Sequence, residues 1–86
     1  MNTATATKLT RQQRKENSER AQRGRNVLDA YAVEIGEVGP GVDWHTVVTD
    51  MLADVMHACT EDCEKCDFED ALRVARDHHR AEQAGL

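Results

Sequence analysis

One apolar stripe at helical spacing constrains the fold of this chain more than any other feature. Its members fall at i, i+3, i+4, i+7, i+8, i+11 and i+12, and they are Trp44, Val47, Val48, Met51, Leu52, Val55 and Met56. That spacing predicts an amphipathic α-helix. A second, shorter stripe follows at Phe68, Ala71, Leu72, Val74 and Ala75. Residues 43–83 therefore predict two antiparallel helices joined by a short turn.

A further helix is predicted before this pair. Val27, Leu28, Tyr31 and Ile35 would share one side of it. We expect it to end at Gly36, or at the latest before the Gly-Pro-Gly run at 39–41. The predicted fold class is all-α, a three-helix assembly in which helices 2 and 3 form an antiparallel αα-hairpin, with Asp43 and Asp67 as N-caps.

The first 26 residues differ in character from the rest. Residues 1–8 show no apolar period and are expected to be disordered, while residues 9–26 favour helix but contain only Leu9 and Ala21 as apolar residues. A helix without a face to bury frays when free and becomes ordered on a partner. The sequence therefore predicts a basic N-terminal arm over 1–26, partly disordered or ordered by a partner, and a helical domain over 27–86.

The chain is poor in core-forming side chains. Leu, Ile, Val and Phe account for 15 of its 86 residues, below the roughly one fifth under which a chain is core-poor. A small core gives a small free energy of unfolding, so we expect the fold to be stabilised further by a second copy, another protein or a metal. Because no apolar run reaches the roughly 18 residues of a membrane span and no apolar signal core is found, the expected compartment is the cytoplasm.

Charge divides the chain into a basic arm and an acidic body. Residues 1–30 carry a net charge of +4 and residues 31–86 a net charge of −9. The arm could contact nucleic-acid phosphates, fold back on the acidic body, bind an acidic partner, or simply be solvated. The candidate phosphate-binding cations are Arg11, Arg14, Lys15, Arg20, Arg23 and Arg25.

Three cysteines surround the predicted turn between helices 2 and 3. Cys59, Cys63 and Cys66 are thiols at short spacing, which is what a tetrahedral zinc site uses. A fourth ligand is absent from the motif, and Asp62, Glu64, Asp67 or a residue of a second chain could supply it. The alternative is that the thiols are incidental and that Cys59 ends the apolar stripe as a small core residue.

Two pairs of acids are candidate magnesium ligands, since paired carboxylates hold this ion. Glu34 and Glu37 are one turn apart if helix 1 extends that far, and Asp50 and Asp54 are one turn apart on helix 2. The alternative is two solvated polar faces.

A family resemblance bears on these acids. Residues 51–55 (Met-Leu-Ala-Asp-Val) and 67–72 (Asp-Phe-Glu-Asp-Ala-Leu) resemble the final helix pair of the MazG-like all-α nucleoside triphosphate pyrophosphatases. The resemblance implies magnesium bound by Glu-x-x-Glu and Glu-x-x-Asp motifs. Glu34-Ile35-Gly36-Glu37 matches the first motif and Asp54 the last acid. Met51 stands where the third acid belongs, with Asp50 beside it, so the resemblance implies a degenerate enzyme.

A second resemblance covers about 35 residues of the C-terminal half. Residues 49–59 and 67–79 are similar to small proteins of phages and other mobile elements. This resemblance implies an accessory protein of a phage or plasmid and assigns no activity. Only the first of the three cysteines is usual in that pattern.

The sequence favours a non-enzymatic helical protein-interaction module, and the resemblance to phage proteins implies an accessory or inhibitor protein that docks on a host protein or on itself. Nucleophile-elbow, P-loop and His-Glu-x-x-His motifs are all absent. The alternatives are the magnesium-dependent pyrophosphatase and a zinc-stabilised module. The predicted interaction residues are Tyr31, Trp44, Val48, Met51, Leu52 and Val55.

Overall fold

Three α-helices make up the fold. The computed structural model describes residues 8–62 and 66–86 and places α1 at Arg11–Glu34, α2 at Trp44–Asp62 and α3 at Phe68–Ala84. Within those ranges there is no strand. The all-α, three-helix prediction is confirmed. Residues 1–8 are expected to be disordered, but all of them except Lys8 lie outside the described residues.

A reciprocal pair of side chains starts α1. Thr10 is its N-cap, and the Thr10 hydroxyl accepts from the Gln13 amide N–H at 3.0 Å. The Gln13 side-chain oxygen accepts in turn from the Thr10 N–H at 2.8 Å. This capping box satisfies two backbone donors that a helix start leaves unpaired. From this start α1 runs as one helix across residues 26 and 27, where the sequence suggests a change from arm to domain.

Gly36 ends α1. Its φ of +79° is left-handed backbone, the conformation that lets the last carbonyls be capped. The Gly36 N–H donates to the Val33 carbonyl at 3.0 Å, and the Glu37 N–H donates to the Ala32 carbonyl at 2.8 Å. This pair of bonds is the Schellman motif. The helix thus stops within two residues of the predicted end.

Gly24 inside α1 and Gly36 after its end are expected to respond in opposite ways to substitution by alanine. We expect Gly36→Ala to lower the free energy of unfolding by about 1 kcal/mol, because an alanine is strained at positive φ. Gly24→Ala, inside the helix with open space around it, is expected to raise that free energy by about 0.8 kcal/mol. Urea denaturation followed by circular dichroism measures both. Equal signs for the two variants would contradict this account of the helix end.

The predicted caps of α2 and α3 are both present. Asp43 accepts from the His45 N–H at 3.1 Å and from the Thr46 N–H at 3.4 Å. Hydrogen bonds to Asp43 from the side chain and then the backbone of Thr46 hold the pKa of this carboxyl below its ordinary value of 3.8. Asp67 accepts from the Asp70 N–H at 3.1 Å at the start of α3.

Packing centres on α1, which contacts both of the other helices. Only Ala32 of α1 and Val47 of α2 are buried among the described residues, at 3% and 1% exposure. The core is thus a small contact between the C-terminal half of α1 and the start of α2. The antiparallel hairpin of α2 and α3 stays a prediction, because the contacts that organise the fold are those of α1.

The dimensions of the chain agree with so small a core. The radius of gyration is 16.1 Å, whereas a compact domain of this length has about 12 Å. The accessible surface is 7034 Å², against about 5,100 Å² for a folded monomer of this mass. The three helices therefore form an open arrangement that leaves apolar surface in contact with solvent.

Candidate interaction surface

The apolar face of α2 is only partly covered by α1. Val47 is sealed, Val48, Met51 and Leu52 are half-buried, and Tyr31 of α1 is also half-buried. Trp44, Val55 and Met56 remain 45%, 40% and 43% exposed. At about 100° per residue, one arc of about 120° contains Trp44, Val48, Leu52, Val55 and Met56. We call these five residues the open ridge.

Trp44 lies at the crossing of α1 and α2, between two shallow clefts. One cleft, of about 360 Å³, is lined by Trp44 together with Arg25, Leu28 and Asp29 of α1. The other, of about 240 Å³, extends from Trp44 along Val33 and Val38. Both valines are well exposed. The half-exposed indole thus continues the open ridge onto α1 and the loop that follows it.

Beside the ridge, Tyr31 links the two helices through a polar contact. Its hydroxyl donates to an Asp54 carboxylate oxygen at 2.5 Å. This hydrogen bond, then desolvation and the negative charges of Asp54 and Asp50, raise the pKa of Tyr31 from 10.0 to about 12. Asp50 and Asp54 therefore lie on the side of α2 that faces Tyr31, so that this edge of the α1–α2 contact is anionic.

The N-terminal half of α1 docks on the C-terminal end of α3 through polar groups. The Gln13 side chain donates to the Gly85 carbonyl at 3.0 Å, and the Asn17 side chain donates to the Glu82 carbonyl at 3.0 Å. Arg20 pairs with the Glu82 carboxylate at 3.1 Å. One of the alternatives for the basic arm is that it folds back on the acidic body. The ion pair between Arg20 and Glu82 is a contact of this kind. The sequence pattern does not predict Gln13 and Asn17, since lone amides carry no periodic signal.

The other cations of α1 lie on its exposed surface. Arg14 donates to the Leu9 carbonyl at 2.6 Å and Arg25 to the Gln22 side chain at 2.9 Å, both local contacts. The exposed cations of α1 are Arg11, Arg14, Lys15, Arg23 and Arg25. All of these except Arg23 fall within an arc of about 100°, on the side of α1 turned away from α3. We call Arg11, Arg14, Lys15 and Arg25 the cationic stripe.

The structure does not gather the candidate magnesium ligands. Because α1 ends at Glu34, Glu37 lies in the following loop, and the two are not on successive turns of a helix as the magnesium hypothesis supposes. Asp54 is engaged by Tyr31. Over residues 8–62 and 66–86, no three acidic, histidine or cysteine side chains come together in a way that could hold a metal. Magnesium binding stays a prediction.

Two of the three candidate zinc ligands are in contact. The Cys59 and Cys66 sulfurs lie 3.1 Å apart, and both residues are half-buried. Cys63 lies outside the described residues, so the structure does not test the three-thiol site. What it adds is a direct thiol–thiol contact between the end of α2 and the residue before the N-cap of α3.

Comparison of the chain with protein-family models, curated proteins and solved structures finds no match. The two resemblances stated for the sequence therefore stay predictions. In the described part of the chain, the helices contain no segment both long and apolar enough to span a membrane.

Proposed function

We propose that this chain is a non-enzymatic helical interaction module whose open ridge is covered by another protein chain. One observation carries the proposal: the apolar face of α2 is sealed at Val47 but exposed at Trp44, Val55 and Met56. Aromatic and methionine side chains that are exposed together mark surfaces that bind protein. A half-exposed tryptophan next to shallow clefts is a suitable anchor for such an interface.

The occupant we propose is a second copy of the chain. The accessible surface exceeds that of a compact monomer by about 1,900 Å², which is more than the roughly 800 Å² that each partner contributes to a standard interface. Charge also favours self-association. Helix α2 carries Asp50, Asp54, Glu61 and Asp62 and no Lys or Arg, whereas α1 presents the cationic stripe. A two-fold pair of chains can bring each stripe near the acidic helix of its partner.

The resemblance to small phage proteins supports an accessory role in a host cytoplasm, with the assembled module docking on a host protein. An interaction module needs no catalytic residues, which agrees with the absence of catalytic motifs from the sequence. The cationic stripe supports a second candidate partner, nucleic acid, because it is exposed, contains no acid and extends for about 21 Å along α1.

Light scattering over a range of protein concentrations tests the proposal. We expect a dimer, and we expect Val55→Glu to raise the dissociation constant at least about tenfold by placing a charge on the open ridge. His57→Glu adds the same charge on the opposite side of α2 and should leave the mass unchanged. Val55 and His57 are both exposed in the single chain, so we expect both variants to remain helical. Circular dichroism checks this.

A monomer at every concentration, together with a Val55→Glu variant that matches the wild type, would rule out the second copy as the occupant. A titration with duplex DNA at two salt concentrations tests the second candidate. A shift that weakens as salt rises and is lost in an Arg11→Ala, Arg14→Ala double variant would favour phosphate contacts by the cationic stripe.

A further inference from the structure

Two cysteines join α2 to α3. Cys59 lies one turn before the end of α2, and Cys66 directly precedes Asp67, the N-cap of α3. Their sulfurs are 3.1 Å apart, so a covalent bond of about 2.05 Å requires an approach of only about 1 Å. Both side chains are half-buried, which leaves them reachable by a small reagent but held in place by the fold.

We propose that Cys59 and Cys66 are a redox site that forms a reversible intramolecular disulfide. The oxidant is a low-molecular-weight disulfide such as that of glutathione. One cysteine thiolate attacks this disulfide, forming a mixed disulfide and releasing one small thiol. The second cysteine thiolate then attacks the protein sulfur and displaces the other small thiol. The two protein thiols lose two electrons and two protons, and the small disulfide is reduced to two thiols.

This bond would link α2 directly to α3. Each of the helices α2 and α3 packs on α1, and the sulfur contact lies where α2 and α3 approach each other. Cys59 also falls within the arc of α2 that holds the open ridge, between Val48 and Leu52 around the helix. The disulfide would therefore hold the start of α3 next to the open ridge, the surface that we propose to be covered by a second copy. The disulfide itself does not rest on the proposed function, and only this coupling does.

Peptide mapping of the full chain tests the pairing. The protein is equilibrated in glutathione buffers of different redox ratio, remaining thiols are alkylated, and a protease that cleaves after Glu is applied. Cleavage after Glu61, Glu64 and Glu69 leaves each cysteine on a separate peptide. We expect residues 38–61 and 65–69 to be joined, with a mass lower by two hydrogens, and Cys63 to be alkylated.

Cysteine variants make the result decisive. Cys63→Ser should oxidise at the same redox ratio as the wild type, whereas Cys59→Ser and Cys66→Ser should form no intramolecular bond between 59 and 66. In the Cys63→Ser protein, oxidation should raise the melting temperature by about 10 °C, because it closes a short loop in the unfolded chain. This variant keeps both proposed partners, so the comparison is made within one folded protein.

Three results would overturn the proposal. The first is a bond from Cys63 to either of the other cysteines in the wild type. The second is the absence of any disulfide at every redox ratio, whether all three thiols are alkylated or they are protected by stoichiometric zinc in protein purified without chelator. The third is a Cys63→Ser protein that oxidises without any rise in melting temperature, which would show that the bond does not hold α2 and α3 in their folded positions. Failure of the dimer test would leave each of these results unchanged.

Discussion

Val47→Asp is expected to abolish the cooperative unfolding transition of the chain. Val47 is 1% exposed and is one of two residues that form the core in the described part of the fold. A carboxylate in its place would be buried where the valine now packs, and a buried unpaired charge costs several kcal/mol. A small domain of this length has only about 4 to 13 kcal/mol to lose.

Two variants calibrate this expectation. Val47→Ala removes apolar volume without adding charge and should lower the free energy of unfolding by about 2 kcal/mol. Thr49→Asp places the same acid on the exposed side of α2 and should change that free energy by less than about 0.5 kcal/mol. Thermal denaturation followed by circular dichroism at 222 nm compares all three. A Val47→Asp protein that melts like Thr49→Asp would show that the α1–α2 contact does not stabilise the fold.

Local signals predict the helices well, because each acts within a few residues. The stripe from Trp44 to Met56 predicts α2, and the acids Asp43 and Asp67 predict the starts of α2 and α3. Gly36 predicts the end of α1, since a left-handed cap needs a residue without a Cβ. Periodicity and capping chemistry are both written in adjacent residues, so no tertiary information is needed.

The docking of α1 on α3 could not be predicted in the same way. It depends on single amides, Gln13 and Asn17, which meet backbone carbonyls 72 and 65 residues away along the chain. Such long-range hydrogen bonds leave no periodic pattern in the sequence. The composition of residues 9–26 shows that this segment has no apolar face, but it does not show that polar groups hold it in place.

The candidate surface was predictable as a set of residues but not as an exposed area. The stripe identifies which side of α2 is apolar, while the position of α1 decides that Val47 is sealed and that Val55 stays open. How far a neighbouring helix covers a face depends on the crossing of the two helices, and this follows from the turn at Gly36 and the loop after it. The contact of Cys59 with Cys66 likewise depends on how the end of α2 and the start of α3 are placed, and not on spacing alone.

The hydroxyl of Tyr31 is expected to titrate near pH 12, about two units above an ordinary tyrosine. Tyr31 is the single tyrosine of the chain, so the rise in ultraviolet absorbance near 295 nm reports this residue alone. The main cause is its hydrogen bond to Asp54, followed by desolvation and by the negative charges of Asp54 and Asp50. All of these effects favour the neutral phenol over the phenolate.

The same shift links stability to pH. Because the pKa of Tyr31 is higher in the folded chain, about 12, than the ordinary 10.0 of an unfolded chain, the hydrogen bond stabilises the fold fully below pH 10. That contribution is lost as the pH rises from 10 through 12. Circular dichroism recorded at each pH identifies any loss of helix, so that titration of the folded chain is separated from unfolding.

Substitution of the two acids decides whether this contact holds α1 against α2. Asp54→Asn removes both the charge and the strongest acceptor and should return the midpoint of Tyr31 most of the way to pH 10. Asp50→Asn, four residues earlier on the same helix, should lower the midpoint far less, since its charge has the smallest effect on the pKa of Tyr31. An Asp54→Asn midpoint equal to that of the wild type would mean that the Tyr31 hydroxyl is not hydrogen-bonded to Asp54 in solution. The polar contact described between α1 and α2 would then be wrong.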